Sequence, residues 1–220
     1  MKTKRRHGGL TRSEYLDSES MSAFREFVKR EAELSKKRLA WTDHIIVEIL
    51  SRTGLRAGEL LQGEEHPGRY LRLRDINLDP QRPSIFVADG KRGVSRVIYI
   101  HSTLRDLIES YIQQWLPNHS PDWPLICSKP GLPLKTAALR MKCRRWQEAY
   151  ETKTKIILGC RLHPHLFRHS FAVWFLDANG GDMAALLLLK DVLGHDDIQT
   201  TFVYLHSSEK LRRGYVQHLV

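Results

Sequence analysis

The sequence predicts an α+β fold, mainly α-helical with a small three-stranded antiparallel sheet. Three observations predict it. Apolar residues recur at helical spacing over most of the chain, whereas the stretch from Tyr70 to Ile100 breaks into short apolar runs separated by Pro and Gly. With 220 residues and 41% hydrophobic content, the chain can bury one substantial core. The expected organisation is a basic N-terminal tail (1–13), one folded domain (14–205) and a C-terminal amphipathic tail (206–220).

In chain order, residues 1 to about 13 are polar and basic and carry Gly8-Gly9, which reads as a tail able to reach for phosphates. TRSE, from Thr11 to Glu14, has capping-box spacing, and Ser18 or Ser20 could equally open the helix that holds Met21, Phe24, Phe27 and Val28. A second helix with Ile45, Ile46, Ile49 and Leu50 runs to Gly54, and a short one follows Arg56 through Leu61. The sheet is expected from Tyr70, Leu71 and Leu73, then Ile85 to Val87, then Val97 to Ile100, with Gly90 to Gly93 at a hairpin tip. Further helices are expected at Leu104–Trp115, Leu134–Tyr150, Pro164–Asn179, Asp182–Leu193 and Asp197 to about Tyr204. The tail HSSEKLRRGYVQHLV sets Leu211, Tyr215, Val216 and Leu219 at helical spacing, a stripe that must dock on its own core or on a neighbour.

Composition excludes several classes. The formal net charge is +10, from 35 Lys and Arg against 25 Asp and Glu, so the surface should attract a polyanion such as nucleic acid or an anionic membrane, between which charge alone does not choose. The longest apolar segment, Ala184 to Leu189, is far too short to cross a bilayer, so no membrane partner is expected. MKTKRRHGGL lacks an apolar core after its basic start, which argues against secretion. Cys127, Cys143 and Cys160 are odd in number and widely spaced, which suits reduced thiols in a cytoplasm. The segment KTAALRMKCRRWQEAY crowds Lys135, Arg140, Lys142, Arg144 and Arg145 onto one helix with no acid before Glu148. Such a helix can lie along a DNA backbone.

The stretch HPHLFRHSFA, His163 to Ala172, sets ionisable side chains among aromatic ones. On a helix His165 and Arg168 share a face, while Phe167, Phe171, Trp174 and Phe175 form the adjoining stripe. In SRTGLRAGELL, Gly54 interrupts a helix and Arg56 stands at the next helix start, a good position for a phosphate clamp. Arg56 and Arg168 together could hold the non-bridging oxygens of one phosphodiester. In LGHDDIQTTFVYLH, Gly194 ends a helix, His195 sits in the junction, and Tyr204 follows on the next short helix.

Together these stretches resemble the catalytic domain of the tyrosine recombinases, the phage integrase family. TGLRAGEL supplies Arg56, DGKRG supplies Lys91, HLFRHSFA supplies His165 and Arg168, LGH supplies His195, and FVYLH supplies Tyr204, all in the family's order and spacing. The resemblance implies the tyrosine-recombinase catalytic fold and a site-specific recombinase that cuts and rejoins DNA. Tyr204 would attack a phosphate, form a 3′-phosphotyrosyl bond and release a 5′-hydroxyl. Arg56 and Arg168 would meet the charge of the transition state, with His195 as a further donor and no cofactor. Lys91 would protonate the leaving oxygen, with Arg92 beside it as the other candidate, and His165 would assist Tyr204. Glu59 would brace the Arg56 segment. The partners implied are double-stranded DNA and further copies of the chain, a tetramer across two sites. The chain resembles lone-catalytic-domain members such as the fimbrial inversion recombinases, or a piece of a longer protein. DMAALLLLKDVLGH runs about three residues longer than the family's usual stretch, which predicts a lengthened or bulged helix before His195.

Other readings explain less. Cys160, His163, His165 and His169 fall within ten residues, but without a second paired arm they make a poor zinc site, so no metal is expected. DGKRG is not a nucleotide-type phosphate loop, since no helix follows Lys91. A non-cutting DNA-binding protein of the same fold, or a type IB topoisomerase-like relaxation of strands, would share most of these residues.

Overall fold

A computed structural model describes residues 10–11, 13–88, 95–205 and 207. The expectations for Lys91, Arg92, the Gly90 to Gly93 tip, residues 1–9 and 12 of the N-terminal tail and all of the C-terminal tail except Ser207 lie outside them.

Helix α1 (Ser18–Ser35) opens on Asp17, whose carboxylate accepts the Ser20 N–H at 2.7 Å. Neither TRSE nor a serine is the cap. TRSE instead closes a separate turn, with the Glu14 carboxylate accepting the Thr11 N–H at 2.9 Å. Met21, Phe24, Val28 and Ala32 form the buried stripe of α1. Helix α2 (Arg38–Thr53) is the central element: every residue from His44 to Ser51 is buried, which fits its apolar composition. Gly54 ends it in the left-handed conformation at φ 64°. A single turn, α3 (Ala57–Leu60), follows Arg56.

The sheet orders β1 (Ile76–Asn77), β2 (Ser84–Val87) and β3 (Arg96–Tyr99) as antiparallel neighbours, with Ile85 opposite both Ile76 and Ile98. The second and third strands lie where the sequence placed them; the first does not. Tyr70 and Leu71 precede the strand, and Leu73–Asp75 is a 3₁₀ turn whose Asp75 carboxylate accepts the Arg72 N–H at 2.8 Å. That local cap competes with a ladder, and the segment bonds instead to residues 121–125, through Leu73 N–H to Trp123 O and Leu125 N–H to Leu71 O.

Helix α4 (Ser102–Trp115) precedes a small hairpin the sequence did not announce, β4 (Cys127–Lys129) with β5 (Leu132–Pro133), turned through Gly131 at φ 75°. Then come α5 (Thr136–Thr154), α6 (Pro164–Ala178), α7 (Met183–Leu193) and α8 (Gln199–Leu205). A large core joins α1 to α5 and the start of α6 around Phe24, Ile46, Leu50 and Phe167. A smaller one joins the rest of α6 to α7 and α8 and includes Tyr204. Of the two forms expected for the helix before His195, lengthened or bulged, the bulge is not seen: α7 is regular, capped by Asp182 and closed by Gly194 in the left-handed region, with the His195 N–H returning to Lys190 O. All three cysteines are buried free thiols. Among the described residues, no helix is long and apolar enough to cross a membrane.

Candidate active site

The site forms where the C-termini of α2 and α7 meet α6. Gly54 is needed there twice over: its φ is positive, and a Cβ would stand 2.5 Å from Phe171 Cδ1 and 2.8 Å from Leu193 Cδ2. This close approach brings unpaired helix-end carbonyls together, and they carry the negative end of each helix dipole. Arg168, 3% exposed, satisfies them: Nη1 donates to Gly54 O and Nη2 to Leu193 O, each at 2.7 Å. Arg56 donates to Gly194 O at 3.2 Å and Leu193 O at 3.4 Å. Arg96 of β3 donates to Val192 O at 2.9 Å. Three guanidiniums thus converge on three consecutive carbonyls at the end of α7.

Glu59 ties the cluster together. Its carboxylate accepts the Arg56 N–H at 2.8 Å, pairs with Arg56 Nη1 at 3.0 Å, and takes a two-pronged pair from Arg96 at 3.0 and 2.9 Å. Burial pushes the Glu59 pKa up, but the Arg96 bonds and charge, then those of Arg56, outweigh it and hold the carboxyl below its ordinary range. One carboxylate against three guanidiniums leaves the site strongly positive. Burial, then repulsion from Arg56, draws Arg168 down to about 10, so it stays charged at neutral pH.

The imidazoles supply no such charge. Burial, then Arg168, Arg56 and Arg96, pull His195 down to about 3, and its Nδ1 pairs with the Thr201 hydroxyl at 2.9 Å. Burial, then His165, pull His169 down to about 4. His165 is likewise lowered, by burial and then Arg168. Tyr204 is 3% exposed, and its ring lies nearly parallel to that of His195, at 6.3 Å between centroids. Its hydroxyl is 3.1 Å from Nδ1 of His169. The expected assistant, His165, stands one helical turn before His169 and lines the cleft beside Arg56.

Arg56, His165, Arg168, His195 and Tyr204 are therefore brought into one neighbourhood. From Arg56 and His165 a cleft of about 640 Å³ extends along α5, where Arg69, Arg140, Arg144 and Arg161 line it. Of the cationic helix, Lys135 and Arg145 are exposed. Lys142 differs: its ammonium pairs with Asp43 of α2 at 2.6 Å, beside the Trp146 indole bond to the same carboxylate, so it holds α5 to the core. Sequence reasoning missed Arg96 and His169 as site residues. Arg96 leaves only a weak signal, a cation opening an apolar strand; His169 stands four residues after His165, hence on the same helix side. Among the described residues, no group of three His, Cys, Asp or Glu side chains is placed to hold a metal ion.

This architecture is that of the tyrosine recombinase catalytic domain: XerA recombinase superposes with a TM-score of 0.70 at 24% identity, over 97% of this chain and 66% of that one. XerH recombinase in a post-cleavage complex with its palindromic difH substrate superposes at 0.68 and 22%, over 94% and 53%. Residues 14–210 match the phage integrase family, and the chain belongs to that family. Relatives include tyrosine recombinase XerD of Staphylococcus saprophyticus, 30% identical over 80% of this chain and 54% of that protein. Another is tyrosine recombinase XerC of Pseudomonas fluorescens, 31% identical over 76% and 49%. The chain spans about half the length of the curated relatives it matches.

Proposed function

We propose that this chain cuts and rejoins DNA strands through a 3′-phosphotyrosyl bond to Tyr204, as a site-specific recombinase. The observation that carries the reading is the convergence of Arg56 and Arg168 on the end of α7, next to a buried tyrosine. Phosphoryl transfer spreads negative charge over equatorial oxygens, and donors fixed beforehand stabilise it without reorganisation. Each guanidinium has five N–H donors, and the carbonyl bonds of Arg168 use two, so donors remain for a phosphate. His195, held through Nδ1 by Thr201, can present Nε2–H to a third oxygen. Lys91, or Arg92 beside it, delivers the proton to the departing 5′-oxygen. Arg140 and Arg144 on the cleft wall, with Lys135 and Arg145 exposed on the same helix, hold the DNA backbone. Residues 14–205 form the catalytic unit, with tails at 1–13 and 206–220, and copies of the chain assemble on two DNA sites.

The test uses a pool of random-sequence duplexes, each carrying one bridging 5′-phosphorothiolate, whose sulfur leaves unprotonated and cannot religate efficiently. The intact protein should form a denaturant-resistant adduct with a subset of the pool, and Tyr204→Phe should bind that subset without forming it. Exchange between two trapped target duplexes made without sulfur separates recombination from relaxation alone.

A further inference from the structure

The mechanism above leaves open where the Tyr204 proton goes. A tyrosine hydroxyl, with an ordinary pKa near ~10, must lose its proton as it bonds to phosphorus. Tyr204 is buried, so bulk water is a poor acceptor. His165, the assistant that the family resemblance implies, is exposed, and its ring centroid is 6.3 Å from that of His169. His169 is in contact with the hydroxyl: Nδ1 to Oη is 3.1 Å, with the rings tilted by 48°.

We propose that His169 is a catalytic residue of this site, the general base that takes the Tyr204 proton; this rests on the strand-cutting function proposed above. As Oη bonds to phosphorus, the hydroxyl proton passes to the Nδ1 lone pair. The bond from phosphorus to the 5′-oxygen breaks, and that oxygen takes its proton from Lys91 or its neighbour. On rejoining, the 5′-hydroxyl gives its proton back to the group that supplied it as its oxygen bonds to phosphorus, the bond from phosphorus to Oη breaks, and the imidazolium returns its proton to Oη. The charged and titratable groups around His169 suit a base that must start neutral. His163, His165 and Arg168 act on it from its own helix and cap, and Glu14 from the N-terminal segment; His195 and Tyr204 face it from the other side. Burial above all keeps it unprotonated before DNA arrives. A phosphodiester seated on Arg56 and Arg168 adds negative charge and raises the proton affinity of His169 when the reaction needs it.

The experiment measures single-turnover adduct formation on duplexes trapped from the random pool, still bearing the bridging sulfur, from pH 6 to 9. The sulfur removes the leaving-group proton from the reaction, so the rate reports the loss of the Tyr204 proton. His169→Asn keeps an acceptor near the Nδ1 position but cannot take a proton. It should be slower by roughly 100-fold at pH 7. Its rate should climb about tenfold per pH unit as tyrosinate forms unaided, while the intact protein levels off. DNA binding and melting temperature should stay unchanged. A His169→Asn rate equal to that of the intact protein overturns the base role, as does a slow rate with an unaltered pH profile. Should the variant fail to fold, nitrogen-15 NMR of the intact protein decides: Nδ1 of His169 must be the unprotonated nitrogen, with a shift that moves in Tyr204→Phe, and a proton resident on Nδ1 overturns the proposal. Absence of any adduct with the intact protein rejects the strand-cutting function itself, and the base role falls with it.

Discussion

The cation half of the site and its nucleophile half are built differently. Arg56, Arg96, Arg168 and Glu59 are fixed by backbone carbonyls and by one another, against the large core around α2. Tyr204 rides on α8, seven residues long, in the smaller cluster. A helix that short has almost no stability of its own. What holds it is packing on α6 and α7, plus a tie to the opposite end of the chain. The Leu10 N–H donates to the Ser207 hydroxyl at 2.6 Å, that hydroxyl donates to Val203 O at 2.7 Å, and the Tyr15 hydroxyl donates to Ser207 O at 3.3 Å. The contrast teaches a division of labour. Charge that must not reorganise during reaction is set in the rigid half, and the tyrosine sits on a short helix held by tertiary contacts alone.

Removing Arg168 should break both halves, because its guanidinium spans the ends of α2 and α7. Arg168→Ala leaves Gly54 O without its guanidinium donor and Leu193 O with only the longer Arg56 bond, and we expect a loss of about 3 kcal/mol in urea unfolding together with loss of the adduct. Gly54→Ala tests the same junction without touching charge. Its Cβ meets Phe171 at 2.5 Å at a positive φ, so about 2 kcal/mol should be lost, and Arg168 should be displaced from Gly54 O.

Acid should separate the halves in sequence. His169 and His195 have folded-state pKa values of about 4 and about 3, below the ordinary 6.5, so the unfolded chain binds protons first. Their contribution is complete above about 6.5 and is lost as pH falls through the folded values. Glu48 binds Arg25 in a two-pronged pair in the large half. Burial raises its pKa, but bonds to His44 and Arg25 and the charges of Arg25 and Arg52 bring it down to about 2. Its contribution persists to the ordinary carboxylate range near 4.5 and is lost only below it. Urea midpoints measured between pH 7.5 and 3 should therefore begin to fall near pH 6.5, and His169→Asn should reduce that early loss. A midpoint flat down to pH 5 would show that the nucleophile half does not bury neutral imidazoles.

The smallest effect should come from the tie. Ser207→Ala should cost about 1 kcal/mol or less overall. Hydrogen exchange should quicken in the α8 amides while those of α2 keep their protection. Equal loosening in both helices would erase the distinction between the halves.

Much of this site can be read from residue order. Helix breaks at Gly54 and Gly194, followed at once by Arg56 and His195, and the three-residue step from His165 to Arg168, mark positions whose local geometry is set by a few neighbouring dihedrals. The helices, too, are legible in apolar periodicity, because a helix buries a stripe that repeats within its own length. The first strand was misread because Tyr70 to Leu73 carries a strand-like pattern, while Asp75 offers the backbone a competing local cap. Only the tertiary structure decided that Arg96 braces Glu59 from 37 residues away, and that Lys142 turns inward to Asp43 across 99. It also decided that His169 meets Tyr204, because that contact depends on how α8 docks, set by side chains distributed over α6, α7 and the N-terminal segment. The sequence by itself determined which chemical groups are present and their local spacing, because those are covalent and short-range. The partners were decided by packing, because a contact between distant residues depends on every element that lies between them.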